Sequence, residues 1–90
     1  SLDSSFYKFI TMKHTIDLHG LPHNEAVKRV EEELVKISMS KFWEIEIITG
    51  KSKPMRDKIV KEVLVPMDFF YYIPHTNPGI IIVVQDELLS

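Results

Sequence analysis

His14-Thr15-Ile16-Asp17-Leu18-His19-Gly20-Leu21 decides the reading of this chain. Apolar and polar residues alternate from His14 to His19. Ile16 and Leu18 point one way; Thr15, Asp17 and His19 point the other. Period two is the signature of a short strand with one buried face, and Gly20 ends it. Pro22 and Asn24 then offer a helix start, with Glu25 beside the positive end of the dipole. From Ala26 the apolar spacing changes. Val27, Val30, Leu34 and Ile37 stand at i, i+3, i+7 and i+10, the stripe of an amphipathic helix. Lys28, Arg29, Glu31, Glu32, Glu33 and Lys36 fill the outer face and read as a solvated surface. A strand followed by such a helix predicts a parallel second strand beside it, reached by a right-handed crossover.

That second strand is Trp43 to Ile48, with Trp43, Ile45 and Ile47 on one face and Glu44 and Glu46 on the other. Residues 49–53 form a loop. Pro54 opens a second helix in which Met55, Ile59 and Val63 stack at i+4 spacing, with Val60 and Leu64 alongside. Pro66 is expected to end it by pushing residue 65 out of the helical region. Phe69 to Ile73 reads as a third strand and residues 74–79 as a turn. Ile80 to Val84, an unbroken apolar run, reads as a fourth strand buried on both faces. The order is β-α-β-α-β-β, an α/β (α+β sandwich) class.

Ninety residues make one domain. Hydrophobic residues are 44% and charged residues 27% of the chain, a globular balance. The longest apolar run is far short of the ~20 residues a membrane span needs. No secretory signal is visible, and the absence of cysteine excludes disulfides, thiolate zinc sites and thiol catalysis. The expectation is a cytoplasmic monomer with no membrane partner. Residues 1–13 read as an N-terminal segment partly packed on the domain, through Phe6, Tyr7, Phe9 and Ile10. Residues 14–90 form the domain proper. The formal net charge of −2 means that any hold on nucleic acid must be local.

Parallel strands place their carboxyl ends on one rim, and ligands of open α/β sheets bind outside those ends. Asp17 and His19 lie at one strand end, Thr49, Gly50 and Lys51 at the next. The imidazole of His19 can give or take a proton. Asp17 can orient it, accept a proton, hold a hard cation, or cap the turn. Gly50-Lys51-Ser52 looks like the end of an ATP-binding P-loop, but the glycine required five residues earlier is Ile45, so that reading fails. An anion site remains, made of free backbone N–H groups at the second helix start with Lys51, Lys53 and Arg56 nearby. From Lys51 to Glu62 five basic residues (Lys51, Lys53, Arg56, Lys58, Lys61) face two acidic ones (Asp57, Glu62), a local charge of +3. His14 lies at the far end of its strand from His19, so with His23 these histidines do not form a closed zinc site. His75 reaches the same rim if the third strand runs parallel to the second, which makes it a candidate for a second acid or base beside the plainer reading of a surface histidine.

Ile16-Asp17-Leu18-His19-Gly20-Leu21 resembles the L-D-L-H-G motif that opens the Smr (small MutS-related) domain. Glu25-Ala26 and the helix after it resemble the segment next to that motif in the family. Ile47-Ile48-Thr49-Gly50-Lys51 is similar to its second motif, a strand ending in H/T-G-x-G. Met55-Arg56 and Pro78-Gly79 before an apolar strand resemble its C-terminal half. The likeness spans about residues 14–85 and suggests the compact stand-alone form. It implies a four-stranded mixed sheet with two helices, like the C-terminal domain of bacterial initiation factor three. It also implies binding of DNA or RNA, with nicking or endonuclease activity in several members. The D-x-H carries over to Asp17 and His19, and T-G-x to Thr49, Gly50 and Lys51. The last glycine of that motif is replaced by Ser52. Ser52→Gly is therefore expected to raise affinity or activity.

These residues and the resemblance together imply a small endonuclease, nicking or RNA-cleaving. Asp17 and His19 are its catalytic pair, and Thr49, Gly50, Lys51, Ser52, Lys53 and Arg56 bind the nucleic acid. A divalent cation such as magnesium or manganese is compatible with Asp17, and no metal ligands are assigned. The rival readings are a non-catalytic module on structured or ribosomal RNA, and a protein-interaction domain using the N-terminal aromatics and residues 69–72.

Overall fold

The computed structural model describes residues 12–39 and 43–85. The expected packing of the N-terminal segment falls mostly on residues 1–11, outside the described residues. Strand β1 (Met12–Asp17) leads through a tight turn to helix α1 (His23–Ile37), then β2 (Trp43–Ile48). Helix α2 (Lys53–Ile59) runs on into a π-helical turn (Val60–Leu64), followed by β3 (Phe70–Tyr72) and β4 (Ile80–Val84). The sheet order is β1-β2-β4-β3. β1 and β2 are parallel, with Ile16 opposite Ile47, as α1 between them requires. β4 is antiparallel to both β2 and β3. β3 therefore runs in the direction of β2, and the loop after it reaches the rim where β1 and β2 end.

The core lies between one sheet face and the two helices. Ile16, Ile45, Ile47, Ile81 and Val83 meet Ala26, Val30, Leu34, Met55, Ile59, Val63 and Leu64 in one apolar cluster. Each fully buried aliphatic side chain contributes about 1.5–3 kcal/mol of transfer free energy. α1 buries Ala26, Val30, Leu34 and Ile37, with Val27 at the edge of the contact rather than in it. Its N-cap is Pro22, which offers no side-chain oxygen, so the expected role of Asn24 at the helix start is not taken up. Glu25 in the first turn and Lys36 in the last match the helix dipole. Ile81 to Val84 are all buried, as an apolar run predicts.

Two element ends differ from expectation. β1 begins at Met12, two residues before the alternation is legible. Pro66 does not push Val65 out of the helical region, since Val65 has φ −68° and ψ −50°. The chain instead widens by one residue, and the Val65 N–H donates to the Val60 carbonyl (2.9 Å). In an α-helix the Pro66 ring would press on the carbonyl four residues earlier; the wider turn removes that conflict. It also turns Val63 and Leu64 into the core together. Asp68, at φ +61°, ends the segment in the left-handed region, and the Phe69 N–H closes back on the Leu64 carbonyl (2.9 Å). Phe69 leaves the third strand to pack edge-on against Trp43, with ring centroids 5.8 Å apart. β3 is left with three residues.

Candidate nucleic-acid interface

The first site segment is a turn held by Asp17. After β1 the Leu18 N–H still donates to the Ile48 carbonyl (2.9 Å), and the Leu18 side chain is fully buried. That anchor leaves Asp17 and His19 on either side of it, both exposed. Asp17 Oδ1 accepts the His19 backbone N–H at 2.9 Å. The carboxylate thus holds main chain, an Asx turn, and not the imidazole. Gly20 at φ +82° and the Leu21 N–H on the Leu18 carbonyl (3.0 Å) complete the turn. His14 lies half-buried on the core side of β1, and His23 is exposed at the start of α1; neither joins His19. Among the described residues no three His, Asp or Glu side chains form a metal-holding group.

The second segment follows β2. Thr49 is only 4% exposed. Its N–H and that of Gly50 both donate to the Gly79 carbonyl, at 2.9 and 3.0 Å, and Thr49 Oγ1 donates to the same oxygen at 3.2 Å. Gly50, at φ +70°, turns the chain beneath His19. A Cβ added to Gly50 would lie 3.6 Å from His19 Cδ2. The two motifs therefore meet, as the parallel pairing predicts.

Ser52 corrects one expectation. Its φ is −83°, open to any residue, and its Oγ accepts the Met55 N–H at 3.3 Å as the N-cap of α2. The reason for expecting a gain from Ser52→Gly is gone. The free amides expected at this helix start are also largely taken: Pro54 has none, Met55 gives its own to Ser52, and Arg56 donates to the Ser52 carbonyl (3.1 Å). What the loop offers an anion is side-chain charge. Lys51 and Lys53 are exposed and make no ion pair among the described residues. Together with Arg56 they line a cleft of about 150 Å³ closed by Pro78 and Gly79. A larger hollow of about 490 Å³ lies along α1, but Glu25, Glu32 and Glu33 outnumber Lys28 and Arg29 there, which disfavours a polyanion.

The third segment is the loop before β4, and most of its part is invisible to pattern reading. Gly79 sits so close to Gly50 that an added Cβ would be 3.0 Å from the Gly50 carbonyl oxygen. Asn77 Oδ1 accepts the Gly79 N–H (3.1 Å), and Arg56 Nη1 donates to the Pro78 carbonyl (3.2 Å). Arg56 is thus a brace between α2 and this loop. Its side chain is 19% exposed, and its Nε is buried without an acceptor, with Asp57 Oδ1 4.0 Å away. His75 is exposed on the same loop, at the rim.

The model of the Smr domain family matches residues 16–68, more than half of the chain. The chain belongs to the Smr domain family. No curated protein and no solved structure gives a match. The matched span of this Smr domain holds both motifs and α2, and stops before the hairpin that supplies Gly79. Family membership carries nucleic-acid binding and nuclease-type chemistry in general terms. No helix among the described residues is long and apolar enough to cross a membrane.

Proposed function

We propose that this Smr domain is an endonuclease that binds DNA or RNA across the rim and cleaves a phosphodiester bond beside His19. The observation that carries the reading is the meeting of His19 with the Thr49-Gly50 turn, whose exit bears the exposed Lys51 and Lys53. Lys51 and Lys53 hold the phosphates by charge, and Lys51 offsets the charge that develops on the oxygens during cleavage. His19 takes the proton of the attacking oxygen or returns one to the leaving oxygen. Thr49 and Gly50 shape the loop, and Ser52 fixes its exit into α2. Asp17 spends one carboxylate oxygen on the turn; the other would hold a magnesium or manganese ion, which would supply positive charge at the phosphate.

A non-catalytic binding module is the second reading. It is favoured by the bond from Asp17 to the His19 amide, which gives that carboxylate a purely architectural use. Labelled single-stranded, duplex and branched DNA and RNA, incubated with magnesium, manganese or EDTA, separate the two. The expected result is cleavage by the parent, with His19→Ala and Asp17→Ala each slower by about 100-fold or more and thermal midpoints within a few degrees. Parent-like cleavage by both variants would remove the catalytic assignment. Binding without cleavage by the parent on every substrate selects the second reading.

A further inference from the structure

The sheet face away from the helices carries its residues in cross-strand rows. Asp17, Ile48 and Ile80 stand nearest the rim; Thr15, Glu46, Ile82 and Tyr72 come next; Lys13, Glu44, Val84 and Phe70 form the third row. On the outermost strand, Phe70 is 46% and Tyr72 51% exposed. They share a face two residues apart, so their rings are offset along the strand by about 6.6 Å. Ile73 joins Tyr72 directly to the loop whose Gly79 carbonyl holds the Thr49 and Gly50 amides. Across the sheet two strand spacings, about 10 Å, separate β3 from β2, and Tyr72 and Phe70 lie one and two rows below the row of Ile48 that leads to the Lys51 exit. Along β2 this face is acidic, while β4 beside it presents Ile80, Ile82 and Val84. Glu44 and Glu46 stand on β2, and among the described residues Lys13 Nζ, 3.9 Å from Glu46, is the one cation paired with them. A phosphate is repelled from that surface, while the uncharged aromatic edge is open to flat, neutral groups.

We infer that Phe70 and Tyr72 form a stacking platform for two unpaired bases of the strand whose phosphates are held at the rim. The inference rests on the nucleic-acid reading above and names its substrate class: a single strand, or an unpaired segment beside the cleavage point. Bases inside a duplex already stack on one another and cannot offer their faces to these rings. Stacking tolerates any base, because every base has a π-face. The platform therefore selects strandedness and not sequence, and the acidic stretch along β2 keeps the backbone at the rim.

The test is fluorescence anisotropy with three ligands: a short oligothymidine, a strand of equal length made of abasic residues, and the oligothymidine paired with oligoadenine. Phe70→Ala and Tyr72→Ala are each expected to weaken oligothymidine binding by about 5- to 100-fold. The salt slope and the affinity for the duplex stay as in the parent, and Tyr72→Phe binds like the parent. The parent itself should bind the abasic strand far more weakly than oligothymidine, a measurement that needs no variant to fold. Equal affinity for the abasic strand and oligothymidine overturns the platform. So does full binding by Tyr72→Ala under conditions where Lys51→Ala loses affinity; in that case the rim reading stands alone. If the parent binds none of the three ligands, the nucleic-acid reading falls with it. Sedimentation showing that the parent self-associates and Tyr72→Ala does not assigns the aromatic edge to a second copy of the chain, which also overturns the platform.

Discussion

Ser52 stands where the related motif carries glycine, and its φ of −83° needs none of glycine's freedom. The side chain has a use there, because its Oγ caps the first turn of α2. Ser52→Ala is expected to cost about 0.5–2 kcal/mol, and Ser52→Gly only a few tenths. In a domain of this size each kcal/mol lowers the thermal midpoint by about 4–8 °C. Thermal melts of the two variants check this, and a midpoint for Ser52→Ala equal to the parent's would show that the cap contributes nothing. Oligonucleotide affinity of Ser52→Gly should not exceed the parent's. The same scale explains what was readable at Asp17. Capping the turn was one of four roles its chemistry allowed, and spacing alone could not choose among them. The choice fell to the main chain, since burial of Leu18 presents the His19 amide to the carboxylate.

At the scale of elements, the loop before β4 is the part on which the rim depends. Its Gly79 carbonyl takes two amides and a hydroxyl from the β2 exit, and its Cα lies against Gly50. A methyl at Gly79 meets backbone, which cannot swing aside as a flexible side chain can. Gly79→Ala should therefore lose hydrogen-exchange protection at the Thr49 and Gly50 amides while the amides of β2 and β4 keep theirs. Oligonucleotide affinity should fall by about tenfold, the 1–2 kcal/mol expected when one close contact displaces a binding loop. Unchanged protection at those two amides would mean that the loop absorbs the methyl. None of this was legible in the residues, because a carbonyl accepting from two amides leaves no side-chain pattern. The elements themselves were legible to the degree that their patterns were pure. β2 and β4 match residue for residue, since strict alternation and an unbroken apolar run admit one reading each. The end of the second helix did not match. Pro66 forbids an α-turn, yet a π-turn satisfies the same prohibition without leaving the helical region. The third strand lost Phe69 to a tertiary contact with Trp43 that no local pattern records.

For the whole molecule, a net charge of −2 must coexist with a hold on a polyanion. If Lys51 and Lys53 contact phosphates while Arg56 braces the loop, log K against log salt should have a slope of roughly −1.4 to −1.8, at about −0.7 to −0.9 per contact. Lys51→Ala should reduce its magnitude by a little under one and weaken all sequences alike. Lys28→Ala and Lys36→Ala on α1 should change little, because Glu31, Glu32 and Glu33 cancel their field. A slope near zero would remove the nucleic-acid reading, and equal losses from the α1 lysines would put the binding surface on the wrong side of the molecule. The strand order carries a consequence of another kind. β4, made after both β2 and β3, inserts between them, and the loop before it brings the carbonyl that seats the second motif. A chain interrupted before Ile80 would hold the D-x-H and the T-G-K in full, yet would have no central strand to join its halves. The rim is therefore complete only once β4 has been made, and a copy that stops short of it lacks the seat for the β2 exit.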